Sequence, residues 1–76
     1  MSERFPAVKP RRAISALERA GFFIHHVRGS HHFLKHPRKM GLLVCVPVHN
    51  RDLDRKTLRS VIEQAGLTLE EFLRLL

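Results

Sequence analysis

The sequence predicts a single α+β domain with the element order α-β-β-β-α-α. Apolar residues recur at helical spacing near both ends of the chain, whereas the middle is rich in aromatic and β-branched residues. The connections between the middle segments are short, which favours a three-stranded antiparallel sheet. Helices before and after such a sheet should pack on one face and leave the other open. With 76 residues, the chain has room for one hydrophobic core.

The first helix is predicted from the segment KPRRAISALERAG, with Pro10 in its first turn and Gly21 at its end. Proline is tolerated there because the N–H group that it lacks would have no helical partner. Residues 1–8 are expected to form a loose N-terminal leader, and the single domain spans residues 1–76.

The three strands are predicted from the segments FFIHHV, HHFLKH and LLVCV. The triplet Arg28-Gly29-Ser30 makes the first tight connection, and residues 37–41 make the second. Pro47 stops the third strand, because proline cannot donate to the ladder.

Two helices are predicted after the strands. The first begins after Asp54, a good N-cap residue, and Gly66 closes it. The second begins at Thr68, which has the spacing of a capping box with Glu71.

Positive charge is the strongest global feature of the sequence. Residues 1–59 hold 13 Lys and Arg residues against 4 Asp and Glu residues, and the whole chain carries a formal charge of +7. This imbalance predicts a polyanionic partner, with nucleic acid as the leading choice. No apolar run approaches a membrane span, and the N-terminus lacks the apolar core of a signal peptide. A single cysteine suits a reducing cytoplasm.

Six histidines raise the question of a metal or catalytic site. Zinc needs three or four converging ligands, and adjacent strand histidines should instead point to opposite faces. Such a division is expected for His25 and His26 and again for His31 and His32, with only the open-face histidine able to meet a large substrate. His32, His36 and His49 are the histidines that could converge, but their spacing does not demand it. We therefore expect no metal ion, and no catalysis by Cys45, which lies in the apolar run LLVCV.

Acid–base cleavage of RNA asks less of a site than metal binding does. The 2′-hydroxyl is an internal nucleophile, so an enzyme needs only a base, a proton donor and cations near the phosphate. Histidine can perform either proton transfer near neutral pH. On the residues alone, however, solvated strand histidines that assist phosphate contacts are the leading interpretation.

The segments AGF, RGSHHFLKHP, VPVHNRDL and TLRSVIEQAGLTLEEFL, in this order, resemble the HicA family of toxin mRNA interferases. The resemblance extends from Lys9 to the C-terminus. It implies a fold like that of the double-stranded-RNA-binding domain, which the element order also resembles. It further implies ribosome-independent cleavage of mRNA and inhibition by a HicB-type antitoxin. We expect no cofactor.

The family's catalytic histidine ends a Gly-Ser-x-His motif, which the resemblance places at His32. Gly29 and Ser30 then shape the turn, and His31 occupies the variable position with a structural or hydrogen-bonding role. A positive φ is the expected reason for Gly29, whereas Ser30 is equally suited to a phosphate contact and to capping the turn. Phosphate contacts are expected from nearby cations, which are Arg28, Lys35, Arg38 and Lys39.

Several assignments stay open on sequence grounds. His36 could supply a second proton transfer or simply end its strand. The residues His49, Arg51 and Lys56 lie near a predicted helix start and give a weak indication of an anion site. The phenylalanines Phe22, Phe23 and Phe33 fit a core better than a base-stacking surface.

The resulting hypothesis is a metal-independent endoribonuclease toxin that uses His32 as its base. Its rivals are a non-catalytic RNA-binding module of the same fold and a subunit that acts only inside a protein complex.

Overall fold

The computed structural model describes residues 5–76, and its elements follow the predicted order. They are α1 (Pro10–Arg19), β1 (Phe23–Arg28), β2 (His31–His36), β3 (Lys39–Pro47), α2 (Arg55–Gln64) and α3 (Leu69–Leu75). The strands pair antiparallel in the order β1-β2-β3. The α+β class, with helices packed on one face of a three-stranded sheet, is confirmed.

The hydrophobic core lies between the helices and the β2–β3 half of the sheet. Leu34, Val44 and Val46 are fully buried on the sheet, beneath the buried helical residues Leu17 and Leu58. The helices pack mainly against β3, and α1 also contacts α3. All six residues of β1 are exposed. The helical layer is therefore off-centre, and it leaves the β1 side of the sheet accessible.

The N-terminal segment is better packed than its sequence suggests. Val8 is fully buried, and its carbonyl oxygen accepts a hydrogen bond of 2.8 Å from the N–H of Leu53. Phe5 packs against the core and lies under the guanidinium of Arg55, 5.4 Å from the ring centroid. The prediction of a loose leader is therefore wrong for residues 5–8, and residues 1–4 lie outside the described part of the chain.

The caps predicted for the C-terminal helices are confirmed. The N–H of Thr57 donates to Asp54 over 2.7 Å, and this hydrogen bond holds the pKa of Asp54 below its usual value. Thr68 and Glu71 form a complete capping box, with bonds of 2.8 and 3.1 Å. Both helices thus begin where the sequence indicates.

The second hairpin is tighter than predicted. Strand β3 begins at Lys39, so only residues 37–38 form the turn expected over residues 37–41. The predicted end of β3 at Pro47 is confirmed.

Strand β1 contains a β-bulge that the sequence does not reveal. The pairing register shifts between Ile24 and His26, which leaves His25 as the extra residue. The rings of His25 and His26 consequently meet, with 2.8 Å between their Nδ1 atoms. The prediction that these two side chains point to opposite faces is therefore wrong.

Only one of the three phenylalanines proposed for the core lies there. Phe22 is buried, whereas Phe23 is 43% exposed and Phe33 is half-buried on the face away from the helices. The core prediction is therefore right for Phe22 and wrong for the other two.

Candidate functional site

The two histidines of the first hairpin lie on opposite faces of the sheet, as predicted. Cross-strand partners share a face, and His32 pairs with Val27 and with the buried Val46. His32 therefore lies on the helix-facing side. His31 pairs with Arg28, on the open face. The histidine named by the family motif is thus not the one on the open face.

The off-centre helical layer keeps the neighbourhood of His32 accessible. On the helix-facing side of β1, Val27 is 52% exposed and Ile24 is 41% exposed. His32 itself is half-buried at the border between these residues and the core. We call Ile24, Val27 and His32 the hairpin shelf. The helices leave Ile24 and Val27 uncovered, so His32 borders an exposed part of the helix-facing side.

The His32 imidazole has an unusual polar environment. Its Nδ1 atom is buried and has no hydrogen-bond partner among residues 5–76. Leaving a buried polar atom unpaired costs about 1–3 kcal/mol, and folded proteins hold few such atoms. Because Nδ1 is buried, Nε2 is the ring nitrogen available to a molecule on the shelf.

The glycine turn beside His32 is open and well anchored. Gly29 has φ +60°, which confirms the expected positive φ, and a Cβ atom there would meet no described atom within 4 Å. The backbone of the turn is fixed by a hydrogen bond of 2.7 Å, which the N–H of Val48 donates to the carbonyl oxygen of Ser30. The turn therefore presents accessible backbone next to the shelf.

His36 has a structural role at the other end of β2. The N–H of Arg38 donates to Nδ1 of His36 over 3.1 Å, and this fixes the tautomer with hydrogen on Nε2. Nε2 then donates to the carbonyl oxygen of Ala20, also over 3.1 Å, and the ring packs edge-on against Phe22. Both nitrogens are occupied, so His36 is not available for a second proton transfer.

The structure separates the four predicted phosphate-binding residues. Arg28 ends β1 at the glycine turn, and both Arg28 and Lys35 are on the open face, opposite His32. Arg38 and Lys39 lie beyond His36, the last residue of β2, which is already about 13 Å from His32 along the strand. Of the four, Arg28 is thus the cation nearest to the hairpin tip beside His32.

A shallow depression of about 160 Å³ lies near the start of α2, with His49 and Arg51 in its wall. The carboxylates of Asp52 and Asp54 line the same depression, and Lys9 forms an ion pair of 3.4 Å with Asp52. Because negative charge faces it, this depression is a poor anion site.

Among residues 5–76, the structure supports neither a cysteine nucleophile nor a metal site. Cys45 is half-buried, and burial raises the pKa of its thiol, which disfavours the nucleophilic thiolate. Within residues 5–76, no three His, Cys, Asp or Glu side chains are grouped to hold a metal ion.

Sequence reasoning missed a ring stack on the open face. The rings of His26 and Phe33 lie parallel within 13°, with centroids 4.5 Å apart. This stack depends on the bulge at His25, and no residue type in β1 predicts that bulge. The sequence does hold one signal for this surface. Residues 19–51, which include β1 and β2, contain all six histidines and no Asp or Glu.

One family model matches this chain, that of the HicA toxin of bacterial toxin–antitoxin systems, and it covers residues 10–67. The chain belongs to the HicA toxin family. No individual curated protein matches at a significant level. A HicA toxin belongs to a toxin–antitoxin pair, so an antitoxin is the partner that this membership implies. None of the helices between residues 5 and 76 is long and apolar enough to span a membrane.

Proposed function

We propose that this chain is a ribosome-independent, metal-independent endoribonuclease that cleaves mRNA through His32. The observation that supports this most directly is the shelf itself. It carries a half-buried imidazole bordered by exposed side chains, beside an open glycine turn, in a family whose members are toxins. A buried nitrogen left unpaired is costly, and such a cost is typical of functional sites.

The proposed chemistry is an internal transesterification. Nε2 of His32 takes the proton of the 2′-hydroxyl, and the 2′-oxygen then attacks the adjacent phosphorus. Arg28 lies on the open face at the hairpin tip, and its long side chain can extend past the Gly29 turn. Its guanidinium then stabilises the negative charge that develops on the phosphate oxygens. The bond from phosphorus to the 5′-oxygen breaks, which yields a 2′,3′-cyclic phosphate and a 5′-hydroxyl.

The leaving 5′-oxygen also needs a proton. His36 cannot give it, because both of its ring nitrogens are hydrogen-bonded to backbone groups. His31 lies on the opposite face of the sheet. We therefore assign this transfer to a solvent water beside the shelf. The hydroxide that remains takes the proton held on Nε2 of His32, which restores the base.

The same shelf is the surface that we propose for a HicB-type antitoxin. It offers exposed apolar side chains, Ile24 and Val27, and it adjoins the hairpin tip, where Arg28 carries positive charge on the open face. An acidic partner with an apolar contact segment would cover His32 and exclude RNA.

The test is induced expression of the wild type, His32→Ala and His49→Ala, with growth and mRNA integrity followed together. His49 is the matched control, an exposed histidine outside the hairpin. We expect growth arrest and mRNA loss from the wild type and His49→Ala, and neither from His32→Ala. A general base contributes about 10²- to 10⁴-fold to the rate, which purified proteins should show on a labelled RNA.

Two results would contradict the proposal. Soluble wild-type protein that leaves mRNA intact would favour the non-catalytic RNA-binding module instead. Products that end in a 3′-hydroxyl and a 5′-phosphate would exclude the internal attack, since that chemistry uses water as the nucleophile.

A further inference from the structure

The open face of the sheet has a distinct composition on strands β1 and β2. Aromatic rings, imidazoles and cations alternate there, and the residues concerned are Phe23, His26, Arg28, His31, Phe33 and Lys35. None of these six is fully buried. We call them the open-face platform.

The rings of the platform contact one another across the strands. His26 stacks on Phe33 at 4.5 Å, nearly parallel. His31 approaches Phe33 from the turn side, with centroids 6.4 Å apart and planes inclined by 41°. Phe33 is half-buried and His26 is exposed, so the stack is supported at its base and open at its outer member.

Two cations flank the rings on the same face. Arg28 pairs with His31 at the turn end, and Lys35 pairs with Phe23 at the other end. No carboxylate opposes them anywhere in the sheet, because residues 19–51 contain neither Asp nor Glu. Aromatic rings between cations, without negative charge, are the features that bind single-stranded nucleic acid.

We propose that the open-face platform stacks an unpaired base of the RNA, with the His26–Phe33 pair at its centre. The proposal rests on the function proposed above and defines its substrate as single-stranded RNA. A duplex hides the faces of its bases, whereas an unpaired base can extend the stack over His26. Stacking tolerates every base, so the platform holds RNA without reading its sequence.

The platform and the catalytic histidine lie on opposite faces but close to the same hairpin tip. His26 and Phe33 are next to the Val27–His32 pair, and Arg28 with His31 then closes the strands. An RNA strand that crosses the open turn at Gly29 would pass from the platform to the shelf. Arg28 would contact the phosphate at the crossing, and His32 would meet the following linkage.

The test measures binding of a labelled single-stranded RNA to full-length protein in a His32→Ala background, where cleavage is absent. Phe33→Leu removes the ring and keeps an apolar side chain, whereas Phe33→Tyr keeps the ring. We expect affinity to fall by about tenfold for Phe33→Leu and to remain for Phe33→Tyr. Met40→Ala is the control, since Met40 is 86% exposed and lies outside the platform.

Two further readouts separate stacking from a general loss of structure or charge. Thermal unfolding must show Phe33→Leu folded at the assay temperature, and His26→Ala, an exposed position, gives a second test of the same stack. The salt dependence of binding should be unchanged in both, because no phosphate contact is removed. An RNA with an abasic site lacks the base that would stack. The loss of affinity caused by Phe33→Leu should therefore be smaller for this RNA than for the intact RNA.

The outcomes distinguish the two proposals. If cleavage depends on His32 but Phe33→Leu and Phe33→Tyr bind RNA equally, the platform is wrong and the ribonuclease stands. If RNA affinity is unchanged while antitoxin binding weakens in Phe33→Leu, the open face is a protein interface, which also overturns the platform. If cleavage is independent of His32, the proposed mechanism fails whatever the binding data show.

Discussion

His32 and His36 lie four residues apart on the same strand and the same side of the sheet, yet their polar environments are opposite. His36 has both ring nitrogens bonded to backbone groups, at 3.1 Å each. His32 has one nitrogen buried without a partner among the described residues. Residue type alone cannot separate these two histidines, but their hydrogen bonds do.

The difference supports a structural role for His36 and agrees with the functional role proposed for His32. A satisfied buried polar group stabilises the fold and is fixed in one tautomer. An unsatisfied one costs stability, and it persists where another requirement retains it. By this criterion His36 connects the end of β2 to the end of α1, and His32 is the candidate for chemistry.

The largest expected effect comes from replacing His32 with an apolar residue of similar size. We expect His32→Leu to abolish cleavage, a loss of about 10²- to 10⁴-fold. The same change removes the unpaired nitrogen, so the free energy of unfolding should stay level or rise by up to about 1 kcal/mol. Activity on RNA and denaturant unfolding of the same samples test both parts. A large loss of stability would show that His32 supports the fold, as His36 does.

The next effect concerns the contact between Gly21 and His36. Gly21 has φ +101°, and a Cβ atom there would lie 2.7 Å from Nε2 of His36. Gly21→Ala should therefore cost about 2–3 kcal/mol, through backbone strain and displacement of the imidazole. His36→Ala should cost about 2 kcal/mol, through two lost hydrogen bonds and the contact with Phe22.

A double-mutant cycle isolates the clash from the strain. In the His36→Ala background, a Cβ atom at position 21 has no imidazole to displace. The losses of unfolding free energy in the two single variants should therefore sum to more than the loss in the double variant. We expect a coupling of about 1 kcal/mol from unfolding curves. Strict additivity would show that the Gly21 requirement comes from its backbone conformation alone. Cleavage should survive in any of these variants that remains folded.

The helices and their ends are the part of the fold that local sequence predicts. Asp54 and Thr68 cap their helices through bonds to residues only three positions away. Such contacts are encoded within one turn, so residue type and spacing suffice. The glycine turn is predictable for the same reason, since Gly29 is needed for its φ alone.

The features that sequence reasoning missed depend on distant partners. Val8 is ordered by its bond to Leu53, 45 residues later in the chain. The bulge at His25 arises from how β1 pairs with β2, and it turns His26 onto Phe33. The accessibility of His32 depends on helices that pack mainly on β3. The motif predicts His32 as the catalytic residue, but only tertiary packing shows that exposed side chains border it.

The weakest effect is expected at Asp54, whose exposed carboxylate accepts a hydrogen bond. The bond from the Thr57 N–H lowers the pKa of Asp54 below its usual value of 3.8. A carboxyl with a lowered folded-state pKa stabilises the fold above its unfolded pKa and loses that contribution as pH falls through the folded value. Asparagine caps a helix about as well and does not titrate in this range.

Asp54→Asn should therefore unfold slightly more easily than the wild type near neutral pH, because it lacks the negative charge at the helix N-terminus. The difference should shrink as the pH falls below about 4, since the carboxyl is then protonated. Thermal unfolding of both proteins across that range tests this, and the other carboxylates cancel because they are common to both. A constant difference down to about pH 2 would mean that the hydrogen bond, and not the charge, supports α2. Asp54 would then resemble His36, as a group that stabilises the fold through geometry alone.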